Sequence, residues 1–103
     1  MVPESKRASI SVQIKFFTTL REIVGKKEEQ VRLSDSTTLE TLLKQLSKEY
    51  GEDFEDYVYD EHGKIRRNLQ FLINGKGASI DQGIKTKLRE GDEIAILPPV
   101  GGG

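Results

Sequence analysis

Cysteine is absent from the chain. Without a thiol there is no disulfide, no thiolate zinc site, no cysteine nucleophile and no side chain to hold sulfur as a persulfide. Any sulfur this protein handles must be attached elsewhere. Histidine occurs once, at His62, in the turn-like stretch Glu61-His62-Gly63. A lone imidazole cannot complete a zinc set and reads as a solvated turn residue. No apolar run approaches the ~18 residues of a membrane span. The opening Met1-Val2-Pro3-Glu4-Ser5-Lys6-Arg7 lacks the apolar core of a signal peptide, so no membrane association is expected and the cytoplasm is the expected location. Neither charge sign dominates: 16 Lys and Arg face 17 Asp and Glu, a net charge of −1. The basic surplus that direct nucleic-acid binding requires is missing. Nucleotide loops are missing too. Gly75-Lys76-Gly77 fails the dinucleotide pattern because position 80 is isoleucine, and no Gly-Lys pair has the upstream glycine of a P-loop. No bound cofactor and no intrinsic metal are expected, and no enzyme site emerges.

What remains is a 103-residue chain with 35% hydrophobic and 32% charged residues, the balance of one soluble domain with its own core. Residues 1–8 are polar and unpatterned and read as a flexible leader. Ile10, Val12, Ile14 and Phe16 then alternate with polar residues, the period of a half-buried strand. Phe17, Leu20, Ile23 and Val24 share one helical face, closed by Gly25. Val31 and Leu33 mark a second strand. Leu39, Leu42, Leu43, Leu46 and Tyr50 form the stripe of an amphipathic helix ended by Gly51. Thr37, three residues before Glu40, predicts a capping box at its start. Phe54, Tyr57, Val58 and Tyr59 fit either a helical turn or a short strand, and Asp60-Glu61-His62-Gly63 reads as a turn. Leu69, Phe71 and Ile73 alternate as far as the turn dipeptide Asn74-Gly75. Ala78 and Ile80 suggest another short strand, and Leu88 buries in an irregular segment. After Gly91-Asp92, Glu93 to Leu97 makes the last strand, which Pro98 must end because it cannot donate to a ladder. The predicted class is α+β, a mixed sheet of about five strands packed on one long helix. The strand order is not legible in the pattern.

Two charged clusters flank the ambiguous region. Glu52, Asp53, Glu55, Asp56, Asp60 and Glu61 are acidic, and Lys64, Arg66 and Arg67 follow as a basic group. Each suits a solvated face or a docking surface, and Phe54, Tyr57 and Tyr59 suit core or interface. The sharper candidate is the end of the chain, Pro98-Pro99-Val100-Gly101-Gly102-Gly103. One reading is a frayed terminus. The other makes the terminal carboxylate the reactive group and the glycines its arm. Glycine presents no Cβ to a narrow cleft, Pro98-Pro99 favours a stiff extended path, and Val100 to Gly103 would reach roughly 13 Å.

Three blocks, in order, carry a resemblance to a known family. They are Ile14-Lys15-Phe16-Phe17-Thr18-Thr19-Leu20-Arg21-Glu22-Ile23-Val24-Gly25, then Phe71-Leu72-Ile73-Asn74-Gly75. The third is Leu88-Arg89-Glu90-Gly91-Asp92-Glu93-Ile94-Ala95-Ile96-Leu97-Pro98-Pro99-Val100 with its closing glycines. Over residues 10–103 the chain resembles the MoaD/ThiS sulfur carriers, including archaeal small modifiers. The stretch from Phe54 to Asn68 is longer than in the shortest members. The resemblance implies a ubiquitin-like β-grasp domain at 9–99 and a flexible glycine tail at 100–103. It also implies a substrate of an enzyme, with no catalysis of its own. An adenylyltransferase of the ubiquitin-activating type, supplying ATP, would form an acyl-adenylate at Gly103. A sulfur donor would convert that adenylate to a thiocarboxylate. Pro98, Pro99, Val100, Gly101 and Gly102 would thread the partner's active site. The implied sulfur acceptor is the large subunit of molybdopterin synthase, with thiamine thiazole formation and tRNA thiolation as related outcomes. The alternative is a modifier joined through Gly103 to lysines of target proteins.

Overall fold

A computed structural model describes residues 9–78 and 83–98. The expected leader at 1–8, the short strand at Ile80 and the tail from Pro99 to Gly103 lie outside the described residues. Five strands form one sheet: β1 (Ser9–Phe16), β2 (Glu28–Ser34), β3 (Gln70–Ile73), β4 (Lys76–Ala78) and β5 (Glu93–Leu97). Three helices accompany them: α1 (Thr18–Val24), α2 (Leu39–Tyr50) and α3 (Glu52–Val58), with a 3₁₀ turn at Gly83–Lys85. The strand order is β2-β1-β5-β3-β4. The central β1–β5 pair is parallel, with Ile14 beside Ile94 and Phe16 beside Ile96. The β1–β2, β3–β5 and β3–β4 pairs are antiparallel. This mixed sheet, with its first and last strands side by side, is the β-grasp arrangement expected.

Alternation in the sequence becomes alternation in burial. In β1, Ile10, Val12, Ile14 and Phe16 are buried while the residues between them are half-buried. In β5, Ile94 and Ile96 point into the same core. The α2 stripe of Leu39, Leu42, Leu43 and Leu46 covers that face and is fully enclosed. Each such side chain contributes about 1.5–3 kcal/mol through removal from water.

The predicted capping box is corrected by the structure. Thr37 is itself buried, and its carbonyl accepts from the Leu88 amide. The N-cap is Thr38, in extended geometry (φ −96°, ψ 168°), its hydroxyl accepting from the Thr41 amide at 3.2 Å. Glu40 then stands one residue too early to reach back to the cap. Thr38→Ala is expected to cost about 1 kcal/mol, measurable by urea denaturation, whereas the same change in a residue without a capping role would cost little.

Residues 52–58, open between helix and strand in the sequence, are helical. Gly51 makes this possible without a linker. At φ +90°, ψ −163° its amide closes α2 on the Ser47 carbonyl, and its own carbonyl accepts from Glu55 in the first turn of α3. The left-handed φ is cheap only for glycine. Phe54 and Val58 then enter the core, so Phe54 is a core residue, and Tyr57 and Tyr59 pack half-buried against it. Tyr50 links the layers. Its ring meets Phe16 edge-on at 6.3 Å and Phe54 at 5.9 Å, and its hydroxyl donates to Glu29 on β2. Burial first, then the Glu29 contact, pushes the Tyr50 phenol well above its ordinary range, so it stays a donor.

Candidate functional site

The base of the expected arm is set by β5. It is a central strand, bonded to β1 on one side and to β3 on the other. The ladder ends with Phe16 beside Ile96 and Gln70 beside Leu97, and half-buried Pro98 follows. A chain leaving this point is anchored by two neighbours, so the strand can hold a tail under load without peeling from an edge. The strand ends at Leu97, just before Pro98, as the missing proline amide requires. Pro99, Val100, Gly101, Gly102 and Gly103 lie outside the described residues.

The sheet face opposite the helices surrounds that exit. Ala95 and Leu97 lie on it, with Leu72 paired to Ala95, and all three are half-buried. Lys15, beside Ala95 on β1, places its ammonium 2.9 Å from the Glu93 carboxylate. The hydrogen bond to Glu93, then its charge, raises the Lys15 pKa, and both groups are too exposed for this to anchor the fold. The result is an apolar strip beside one neutralised ion pair, running up to Pro98. Sequence reading missed this strip. Its signal is the loss of alternation in Ile94-Ala95-Ile96-Leu97 and Phe71-Leu72-Ile73, strands that are apolar on both faces.

The remaining sequence candidates are separated by the fold. Gly75-Lys76-Gly77 forms the β3–β4 hairpin, with Asn74 and Gly75 both at positive φ (54° and 84°), the geometry of a type I′ turn. His62 is exposed, and its ring lies 3.6 Å from the carboxylate of the exposed Glu61. Among the described residues no group of His, Asp and Glu could hold a metal ion. Glu52, Asp53, Glu55 and Asp56 lie exposed on α3. Asp60 shapes the turn that follows, its carboxylate accepting from the His62 and Lys64 amides at 2.8 and 3.0 Å. The Lys64 amide bond is the larger cause that holds the Asp60 carboxyl below its ordinary 3.8. Arg66 donates to the Asp56 backbone carbonyl at 3.1 Å, which joins the two stretches through the main chain and not through an ion pair. No helix among the described residues is long and apolar enough to cross a membrane.

With this geometry in place, comparison with known proteins is decisive for the family. The ThiS family matches residues 14–103. The chain belongs to the ThiS family. Its relatives include small archaeal modifier protein 3 of Haloferax volcanii, 33% identical over 94 residues, covering 91% of this chain and all of that one. A molybdopterin synthase sulfur carrier subunit of Chlamydomonas reinhardtii is 26% identical over 94 residues, with 91% and 100% coverage. The crystal structure of SAMP1 from Haloferax volcanii superposes with a TM-score of 0.77 at 28% identity, covering 90% of this chain and 99% of that one. The ubiquitin-like β-grasp fold expected from the resemblance is therefore shared with solved relatives. The family match runs through Gly103, so the glycine end is inside the shared region.

Proposed function

We propose that this ThiS-family protein is a sulfur carrier whose reactive group is the carboxylate of Gly103. The observation that supports it is the family match running through Gly103, on a chain whose last described strand is the central β5. A carboxylate is inert to acyl transfer until oxygen is made a leaving group. Attack of the Gly103 carboxylate on the α-phosphate of ATP forms an acyl-adenylate and releases pyrophosphate. Attack of a sulfide equivalent on that acyl carbon then forms the thiocarboxylate and releases AMP. This chain would supply only the carboxylate and the handle. ATP, the sulfur donor and the catalytic groups belong to an adenylating partner of the ubiquitin-activating type. The apolar strip of Leu72, Ala95 and Leu97 beside the exit gives that partner a surface to grip while Pro98 to Gly102 enter its cleft. The acceptor we favour is a molybdopterin-synthase large subunit, in keeping with the named role of the Chlamydomonas relative.

A second reading rests on the Haloferax modifier relative, at 33% identity over its whole length. On this reading the same activated Gly103 forms isopeptide bonds with lysines of target proteins, and the first chemical step is unchanged. Mass spectrometry of protein from its native host separates the two. A carrier shows one oxygen-to-sulfur exchange confined to the peptide ending at Gly103, and a modifier leaves a glycine remnant on target lysines. A C-terminus that never carries sulfur, AMP or a lysine under any growth condition overturns both.

A further inference from the structure

On the side of the molecule away from the apolar sheet strip, a groove runs between α2 and the turn that follows α3. It consists of two adjoining cavities, of about 320 and 360 Å³, which share Lys44, Tyr59 and Gly63. The α2 wall presents Lys44 and Lys48, both exposed. The opposite wall is the stretch from Tyr59 to Arg67, which holds a fixed shape. Tyr59 bridges Ile65 in a β-bridge, the Arg66 amide donates to the Val58 carbonyl at 2.8 Å, and Asp60 closes the turn over Gly63.

Three features define what would fit. First, charge: Lys44, Lys48, Lys64 and Arg67 line the two cavities against Glu40 and Glu55, so the groove is net cationic. Lys44, Lys48 and Lys64 make no ion pair among the described residues. Second, Tyr59 lies at the centre. It borders both cavities, while its hydroxyl is buried with no hydrogen-bond partner among the described residues. Burial, with Glu40 and Glu55 nearby, raises its pKa, so the phenol stays protonated. Third, spacing: Lys44 and Lys48 stand one helical turn apart, about 6 Å along the axis. Alternate side chains of an extended peptide are about 6.6–6.8 Å apart.

We propose that this groove docks an extended acidic peptide segment of a partner protein. Alternate carboxylates would lie along Lys44 and Lys48, Lys64 would close from the far wall, and Tyr59 would lie beneath the peptide. Because α2 covers the opposite face of the sheet from the apolar strip, this surface stays open while the strip and tail are engaged. One partner could therefore hold the domain while another works on its end. The inference does not depend on the chemistry at Gly103.

The test is a ¹⁵N chemical-shift titration of the full chain with a capped peptide of alternating Glu and Ser. Parallel arms use a Lys/Ser peptide, inorganic phosphate and an oligothymidylate. Saturable shifts confined to the amides of Lys44, Lys48, Tyr59, Gly63 and Lys64 are expected with the Glu/Ser peptide alone. The Lys44→Glu/Lys64→Glu double variant should weaken that binding about tenfold. Tyr59→Phe should leave that binding unchanged and not lower Tm, because the hydroxyl it removes is buried and unsatisfied. Lack of saturation, shifts centred on Leu72 and Leu97, or equal response to phosphate or the oligonucleotide would overturn the proposal. Unchanged affinity in the Lys44→Glu/Lys64→Glu double variant would overturn it as well.

Discussion

Removing Gly102 and Gly103 will reduce acyl-adenylate formation by more than about a hundredfold and leave the thermal midpoint where it was. The kinetic half follows from reach. Two residues shorten an extended arm by about 7 Å, and misplacement of a reacting atom by even 1 Å can cost ~10²-fold. The new carboxylate, on Gly101, would stop short of the α-phosphate. The stability half follows from where the described fold ends. Among the described residues the last paired one is Leu97, and every buried apolar side chain lies at Ile96 or earlier. Gly102→Val is the intermediate case: the length is kept, but a branched side chain enters the cleft and narrows the backbone's range. ATP–pyrophosphate exchange with the cognate adenylating enzyme, run beside thermal unfolding, checks both halves. If the truncated chain is activated at the full rate, the carboxylate of Gly103 is not the reactive group.

Legibility in the sequence follows burial contrast. β1 and α2 are readable because each has one face in the core and one in water, so period 2 and period 3.6 show directly in Ile10 to Phe16 and Leu39 to Tyr50. α3 is not, because only Phe54 and Val58 of its seven residues are buried, and two apolar positions cannot distinguish a helix from a strand. The cap falls one residue from its expected place for a tertiary reason. Thr37 and Thr38 are equivalent as local sequence, and it is the pairing of Thr37 with Leu88 that leaves Thr38 to cap. Strand order escapes altogether, since the β1–β5 pairing joins residues some eighty positions apart and no local pattern encodes it.

The site divides the same way. The tail emerges by elimination, because a chain without cysteine and with a single histidine has few other places for chemistry. Its resemblance to the ThiS family then makes it specific. The apolar strip of Leu72, Ala95 and Leu97 has no motif, and it becomes visible only when β3 and β5 are set side by side. The groove at Tyr59 is further from reach still. Lys44 on α2 and Lys64 beyond α3 read as solvated charges until the turn closed by Asp60 places them across one cleft.

Phe54→Ala tests whether α3 belongs to the fold or merely decorates it, with an expected loss of about 3–5 kcal/mol. Phe54 is fully enclosed, packs against Tyr50 at 5.9 Å, and sits in the one core shared by all the helices. Truncation deletes most of an aromatic ring and leaves a cavity in a close-packed interior. Collapse into that cavity is opposed by Tyr50, which Glu29 and Phe16 hold from the other side. In a domain of this size each kcal/mol shifts Tm by about 4–8 °C, so a fall of at least about 12 °C is expected, with the urea m-value unchanged. A cost under about 1 kcal/mol would show that α3 lies loosely on the surface, as a poorly packed insertion would. The tail must behave differently in the same variant. At temperatures where the domain is folded, its activation rate should match the unaltered chain, because Phe54 stands on the helical side and the arm departs from the sheet. Loss of stability with retained chemistry here, and lost chemistry with retained stability at Gly103, would together separate the handle from the reactive end.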